Sequence, residues 1–220
     1  MVQVLQASQM ELGDIHRQFN LQRSQDPAFF TEWDIPTPEL TDYERHWLDQ
    51  AKQDFLPLCE YPVHEELVKL MIVGPLLSIA GLFRSPFHPV AEHQVELAVE
   101  DSNNEVVRGR LDLLVMHQQL WVAVVESKRQ RLDLSAGFAQ ALFYMLTSPN
   151  TEGPTFGFIC NGNHGIFIKL VKGPEDEPSV YGFSDDFSLW RQQRNELYDT
   201  VGVLRHLGTI VTRGEVAIAA

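Results

Sequence analysis

With 220 residues, 44% hydrophobic and 21% charged side chains, the chain has the composition of one ordinary globular domain with a sizeable core. A net charge of −13 excludes a protein that coats nucleic acid without specificity. No apolar run approaches the length of a membrane helix, and the opening MVQVLQASQMELGD lacks a signal peptide's basic and apolar regions, so the expectation is a cytoplasmic protein with no membrane segment.

Residues 1–40 are polar, carry the aromatic cluster Phe29, Phe30 and Trp33, and are broken by Pro27, Pro36 and Pro38. A short helix is expected around 8–20, then an irregular segment wrapping the domain. Thr41 and Glu44 form a capping box, and Leu48, Ala51 and Phe55 continue a helical stripe to about Leu58. A second helix, VHEELVKLMIVGPLLSIAGL, is apolar on nearly all sides and therefore expected to be buried. Pro75 kinks or divides it and Gly81 stops it. Glu65 and Glu66 stand near its start, where the plainer reading is solvated first-turn acids favoured by the helix dipole.

HQVELAVED alternates as a strand, and VVRGRLDLLVMHQQLWVAVVESK, residues 106–128, reads as two long strands around a polar turn. The spacing predicts a helix over Ala136–Thr147, capped by Asp133 or Ser135. TFGFIC and GIFIKLV follow as strands joined by the hairpin signal NGNH, then the short strand SVYGF. A final helix is expected from Asp185 or Asp186 to about Leu207, with the last dozen residues weakly ordered. Hairpin-linked strands followed by a crossover helix imply an α/β architecture, a single-domain mixed β-sheet flanked by helices. The expected organisation is an N-terminal extension over 1–60, a core over 61–210 and a tail over 211–220.

Residues 106–128 carry charges where a sheet interior should have none. If the turn is centred on Gln119, strand positions pair when their numbers sum to 238, and Asp112 falls opposite Glu126. Two carboxylates at cross-strand distance repel, unless one is protonated or a cation sits between them. The plainer reading pairs Asp112 with Arg110 or Arg108, and Glu126 with Lys128, as strand-end ion pairs. Against it, Glu126 and Lys128 end an unbroken apolar strand, where charge is costly. Asp112, Glu126 and a backbone carbonyl, that of Ser127 in the candidate set, make a hard-oxygen site suited to Mg²⁺ or Mn²⁺. Such a metal acidifies a water and stabilises charge on a phosphodiester, while Lys128 orients or helps deprotonate that water. Residues 101–150 carry five basic side chains, of which Arg108, Arg110, Arg129 and Arg131 are candidate phosphate contacts on an otherwise acidic body.

Asp112 followed by Glu126-Ser127-Lys128 resembles the D…(D/E)xK signature of the PD-(D/E)XK nuclease superfamily, which has the restriction-endonuclease-like fold. GRLD and VVESK are similar to the nuclease regions of restriction (R) subunits of type I systems. Gln140-Ala-Leu-Phe-Tyr144 is similar to the QxxxY motif of RecB-like nucleases, and at i, i+4 both motif residues share one helix face. The resemblance spans roughly residues 62–170. It implies a Mg²⁺- or Mn²⁺-dependent deoxyribonuclease in which Asp112 and Glu126 hold the metal, Lys128 positions the attacking water, and Gln140 and Tyr144 support the site. It further implies an upstream helix acid, Glu65 or Glu66, assisting at the metal. One position departs from the pattern: Leu111, not proline, precedes Asp112.

A second reading is a nuclease-fold subunit whose site is vestigial or works only with a helicase or specificity partner of a restriction system. The chain has no Walker A motif and so no motor of its own. Cys59 and Cys160 show no metal-ligand spacing or recognisable dyad, and the histidines no HxH or HExxH; His164 reads as a turn or surface residue.

Overall fold

The capping box read from Thr41 and Glu44 forms in full. Glu44 N–H donates to Thr41 Oγ1, and the Glu44 carboxylate accepts from the Thr41 N–H at 2.8 Å. The computed structural model describes residues 3–6, 10–91, 94–99, 105–110, 113–117, 120–124, 134–148, 153–174 and 177–218. Before that cap lie β1 (Gln3–Gln6), α1 (Leu12–Gln18) and β2 (Leu21–Arg23). The capped helix, α2 (Asp42–Phe55), tightens into a 3-10 turn over Leu56–Glu60. The apolar helix follows as α3 (Glu65–Val68), a π segment (Lys69–Val73) and α4 (Gly74–Ala80). Pro75 does not divide it. The helix widens just before the proline, with Gly74 N–H donating to Lys69 O five residues back. Gly81, at φ 82°, closes it in the left-handed conformation that glycine adopts without steric cost.

The strands β3 (Val90–Ala91), β4 (Gln94–Val99), β5 (Glu105–Arg110), β6 (Leu113–His117) and β7 (Leu120–Val124) come next. Helix α5 (Ser135–Thr147) leads to β8 (Thr155–Cys160), β9 (His164–Val171), β10 (Ser179–Phe183), β11 (Phe187–Ser188) and α6 (Leu197–Ile218). Residues 185–196, expected as helix, instead carry β11 and a loop that the buried Glu196 ties together. Its carboxylate accepts from Ser188 N–H at 2.7 Å and pairs with Arg191 and Arg194. The final helix accordingly starts later than expected and runs on to Ile218. The N-cap of α5 is Leu134, without a side-chain cap bond, rather than Asp133 or Ser135.

The main sheet has the order β2-β10-β9-β8-β7-β6-β3, with β11 on β9; its five inner strands run from β10 to β6. The sheet is mixed: β7 and β8 are parallel, as are β10 and β2, while β6–β7, β8–β9 and β9–β10 are antiparallel. A separate three-stranded sheet has the order β1-β5-β4. The stretch expected as one long strand before the turn is thus two strands, β5 and β6, in two sheets. The β6–β7 register also differs from expectation. Leu113 faces Ala123 and Val115 faces Trp121, so paired numbers sum to 236, not 238. A bulge between Val115 and His117, and a connection of two residues rather than one centred on Gln119, account for the shift. The pairing of Asp112 with Glu126 lies outside the described residues.

Helices cover both faces of the sheet. Alternation along β8 sends Phe156, Phe158 and Cys160 to the face packed by α2, α4 and α6, and Ile159 to the face packed by α1 and α5. A Cβ on Gly157 would lie 2.9 Å from Met145 Sδ, so the missing side chain there admits α5. The N-terminal segment belongs to this body: Leu48 and Phe55 are fully buried, and β2 forms a sheet edge. Helix α3 and the π segment are less buried than the apolar pattern implies, since Leu70 is 72% exposed. Among the described residues, no helix is long and apolar enough to cross a membrane.

The α2 cap carries a pH signature. The Thr41 N–H holds the Glu44 carboxyl below its ordinary value of 4.5; burial, second in size, opposes it, and Arg205 adds to the lowering. A carboxyl depressed in the folded state stabilises the fold above its unfolded pKa, and that contribution is lost as pH falls through the folded value. Glu44→Gln should therefore lower the melting temperature at pH 7, by a margin that narrows as pH falls below 4.5, as read by thermal melts across that range.

Candidate functional site at the C-terminal edge of the sheet

Strand direction decides which residues can meet. Because β7, β8, β10 and β2 all run one way, their C-terminal ends share one edge of the sheet, along with the N-terminal ends of β6 and β9. Asp112 immediately precedes β6 in the sequence, and Glu126, Ser127 and Lys128 follow two to four residues after β7. These four residues, with Arg129 and Arg131, lie outside the described residues. The described strand ends that flank them, Leu113 and Ala123, are paired across the hairpin at that edge.

The upstream acids reach the same edge from the other side of the chain. Val124 at the end of β7 pairs with Cys160 at the end of β8, and the β8–β9 turn begins at Asn161. Asn161 Oδ1 accepts from the N–H groups of Asn163 and His164, and Gly162 takes φ 92°, so the NGNH hairpin forms as its sequence predicts. Val68 of α3 packs on this turn: its Cγ2 would lie 3.3 Å from a Cβ on Gly162. Glu65 and Glu66, at the start of α3, are therefore carried to the edge. Lys69 Nζ lies 2.5 Å from Glu65 Oε1 and 3.1 Å from Glu66 Oε1. The two acids differ in burial, with side chains 17% exposed for Glu65 and 79% for Glu66.

Helix α5 brings in Gln140 and Tyr144. As the crossover between parallel β7 and β8 it runs back along the sheet. Phe138 in its first turn meets Phe183 at the end of β10, with ring centroids 4.4 Å apart, and Met145 near its other end meets Gly157 near the start of β8. Gln140 is thus half-buried in the part of α5 nearer the edge. Tyr144 is fully buried one turn deeper, its ring edge-on to Phe143 at 5.4 Å. Arg108 and Arg110 occupy β5, where Arg108 pairs with Gln6 and Glu96 and Arg110 with Gln94; they belong to the smaller sheet, not to the β6–β7 hairpin.

The candidate metal ligands are oxygen donors throughout: the carboxylates of Asp112, Glu126 and Glu65 or Glu66, and the Ser127 carbonyl. That chemistry fits a hard cation such as Mg²⁺ or Mn²⁺. Among the described residues no three His, Cys, Asp or Glu side chains cluster as a metal site.

The turn also holds a feature that sequence spacing does not reveal. His164 is largely buried rather than a surface residue. Its Nδ1 lies 2.7 Å from Asp186 Oδ2, while its buried Nε2 has no hydrogen-bond partner. The two residues are 22 apart in sequence, and only the β9–β11 pairing, with Ser188 opposite His164, brings them together. Cys160 beside it is no nucleophile, since burial pushes its thiol up to about 12. Burial likewise raises the Cys59 thiol, whose Sγ donates to Asn163 Oδ1 at 2.8 Å. No protein-family model and no curated protein matches this chain.

Proposed function

We propose that this chain is a Mg²⁺-dependent deoxyribonuclease of the PD-(D/E)XK type, with a restriction-endonuclease-like core. The observation that carries the reading is the convergence of four sequence-distant elements on one sheet edge. They are the start of β6 next to Asp112, the end of β7 before Glu126–Lys128, the acid-bearing α3, and α5 with Gln140. The described elements that carry or flank the candidate residues over 65–140 thus end at one edge of the sheet.

In this reading Asp112, Glu126 and the Ser127 carbonyl hold the metal, and Glu65, the more buried of the two helix acids, completes the oxygen set. Bound there, Mg²⁺ lowers the pKa of a water and neutralises charge building on the phosphodiester. Lys128 orients that water and helps take its proton, and Gln140 braces the site from α5. Tyr144, sealed in the core one turn deeper, fixes the helix face from which Gln140 projects. Arg129 and Arg131, just after the lysine, contact the flanking phosphates, with Arg108 and Arg110 contributing from the neighbouring sheet. Arginine contacts to phosphate release counterions, so activity should fall with added salt in proportion to the number of such contacts. A helicase partner in a restriction system would supply a motor, and a specificity subunit would supply recognition of sequence.

The test is incubation of the purified chain with supercoiled, linear and single-stranded DNA, with Mg²⁺, Mn²⁺ or a chelator. Metal-dependent products are expected. Calorimetric Mn²⁺ binding without cleavage of any form would point instead to a vestigial site, and neither binding nor cleavage would remove the reading.

A further inference from the structure

The same sheet edge continues past the candidate site to the outer strand β2, and there it opens into a cleft of about 460 Å³ between the β2–β10 ends and the loop of residues 24–33. That volume lies within the usual range of small-ligand pockets. Arg23, the last residue of β2, is exposed, and its guanidinium carbon stands 5.3 Å from the ring centroid of Phe183. Arg23 makes no ion pair with any described residue. Stacked in this way, a guanidinium keeps its N–H fork free for a phosphate.

The rest of the cleft suits a base. Phe29 and Trp33 line it, Phe30 closes its floor, and the exposed Gln25 offers an amide at its rim. Gly182 lets the Phe29 ring lie against β10, since a Cβ there would sit 2.9 Å from Phe29 Cδ1. Lys169 fixes the loop from beneath by donating to Phe29 O at 2.8 Å and pairing with Glu32. Asp26, the one acid lining the cleft, has Oδ1 engaged by the Ala28 N–H at 2.9 Å.

We propose that this cleft is a secondary subsite for a single DNA strand, with Arg23 on a phosphate and the aromatic wall against an unstacked base. The proposal rests on the nuclease reading and extends it: the strand runs along the sheet edge from the β6–β7 end to the β2 end. From β7 to β2 the edge crosses four strand spacings, about 19 Å at ~4.8 Å each. At about 3.4 Å per stacked nucleotide, and about twice that once the bases unstack, that is roughly three to six nucleotides from the reacting bond. A dinucleotide at the catalytic site cannot reach Arg23; a strand of fourteen nucleotides can.

The experiment compares wild type, Arg23→Ala and Arg17→Ala, the last removing an equal charge from an exposed arginine on α1. Fluorescence anisotropy with a single-stranded 14-mer in metal-free buffer should show Arg23→Ala binding about tenfold more weakly, with the log–log salt slope reduced by about one. Arg17→Ala should stay within about twofold. In Mg²⁺, Arg23→Ala should raise KM for the 14-mer and leave both its kcat and the KM of a dinucleotide unchanged. Equal binding by wild type and Arg23→Ala, an equal loss in Arg17→Ala, or a mononucleotide that binds as tightly as the 14-mer would each overturn the subsite. If wild type cleaves but Arg23→Ala changes nothing, the subsite falls and the nuclease reading stands. If the binding pattern appears without any cleavage, the nuclease reading falls and the strand site stands.

Discussion

Lys128→Ala should lower Mg²⁺-dependent cleavage by about a thousandfold or more while leaving the melting temperature within a few degrees of wild type. A positioned acid–base group is worth roughly 10² to 10⁴ in rate, and each factor of ten corresponds to about 1.36 kcal/mol of barrier. Asp112→Ala should cost at least as much, because it removes a metal ligand outright, and millimolar excess Mg²⁺ should recover only part of the loss. The two helix acids should separate. Glu65→Gln should reduce the rate about tenfold or more, whereas Glu66→Gln, at a position 79% exposed, should change it by less than about threefold. Single-turnover cleavage measured beside calorimetric Mn²⁺ titration checks the set. If Lys128→Ala and wild type gave the same trace products, those products would come from a contaminant and the assignment would fall.

Much of the fold was legible because its signals are local. The Thr41–Glu44 cap, the stop at Gly81, the NGNH hairpin and the fully buried run of β8 each depend on a few adjacent residues, and each forms as its spacing predicts. What misled was long-range. The unbroken strand-like run from Val106 to Met116 gives no hint that β5 and β6 belong to different sheets. The register shifted for a related reason: the bulge at the β6–β7 hairpin adds one residue to a strand without changing its composition. The start of α6 moved because Glu196, an acid that reads as helix surface, is buried and ties a loop to Arg191 and Arg194 instead. For the candidate site, spacing could nominate Asp112, Glu126 and Lys128, but only the topology brings Glu65 to the same edge. The His164–Asp186 contact and the Arg23–Phe183 stack had no sequence signal at all, since each joins residues far apart in the chain.

The joint between the sheet edge and α3 rests on Gly162, and Gly162→Ala should be strongly destabilising. Two costs combine there. At φ 92° an L-residue pays about 1–2 kcal/mol for the left-handed conformation. Its Cβ would also overlap Phe55 Cζ and lie 2.6 Å from Phe55 Cε1, and Phe55 is fully buried in the core. Relieving such an overlap costs roughly 1–3 kcal/mol more. Gly81 supplies the control, because it has nearly the same φ, 82°, but nothing within 4 Å of an added Cβ. Gly81→Ala should therefore carry only the conformational cost, offset in part by the smaller entropy of the unfolded alanine chain. For a chain of this size, about 2–5 kcal/mol corresponds to a melting temperature lower by roughly 4–20 °C for Gly162→Ala, against a few degrees for Gly81→Ala. The overlap explanation makes a further demand. Phe55→Leu, mildly destabilising alone, should recover part of the loss when combined with Gly162→Ala, giving a coupling of about 1 kcal/mol or more in a double-mutant cycle. Equal melting temperatures for the two glycine variants, or strict additivity with Phe55→Leu, would show that steric contact at the turn is not what holds α3 in place. Should the contact prove decisive, Gly162→Ala assayed well below its melting temperature should also lose cleavage activity that Gly81→Ala keeps, because Glu65 lies one turn before Val68, the α3 residue that packs on the same turn.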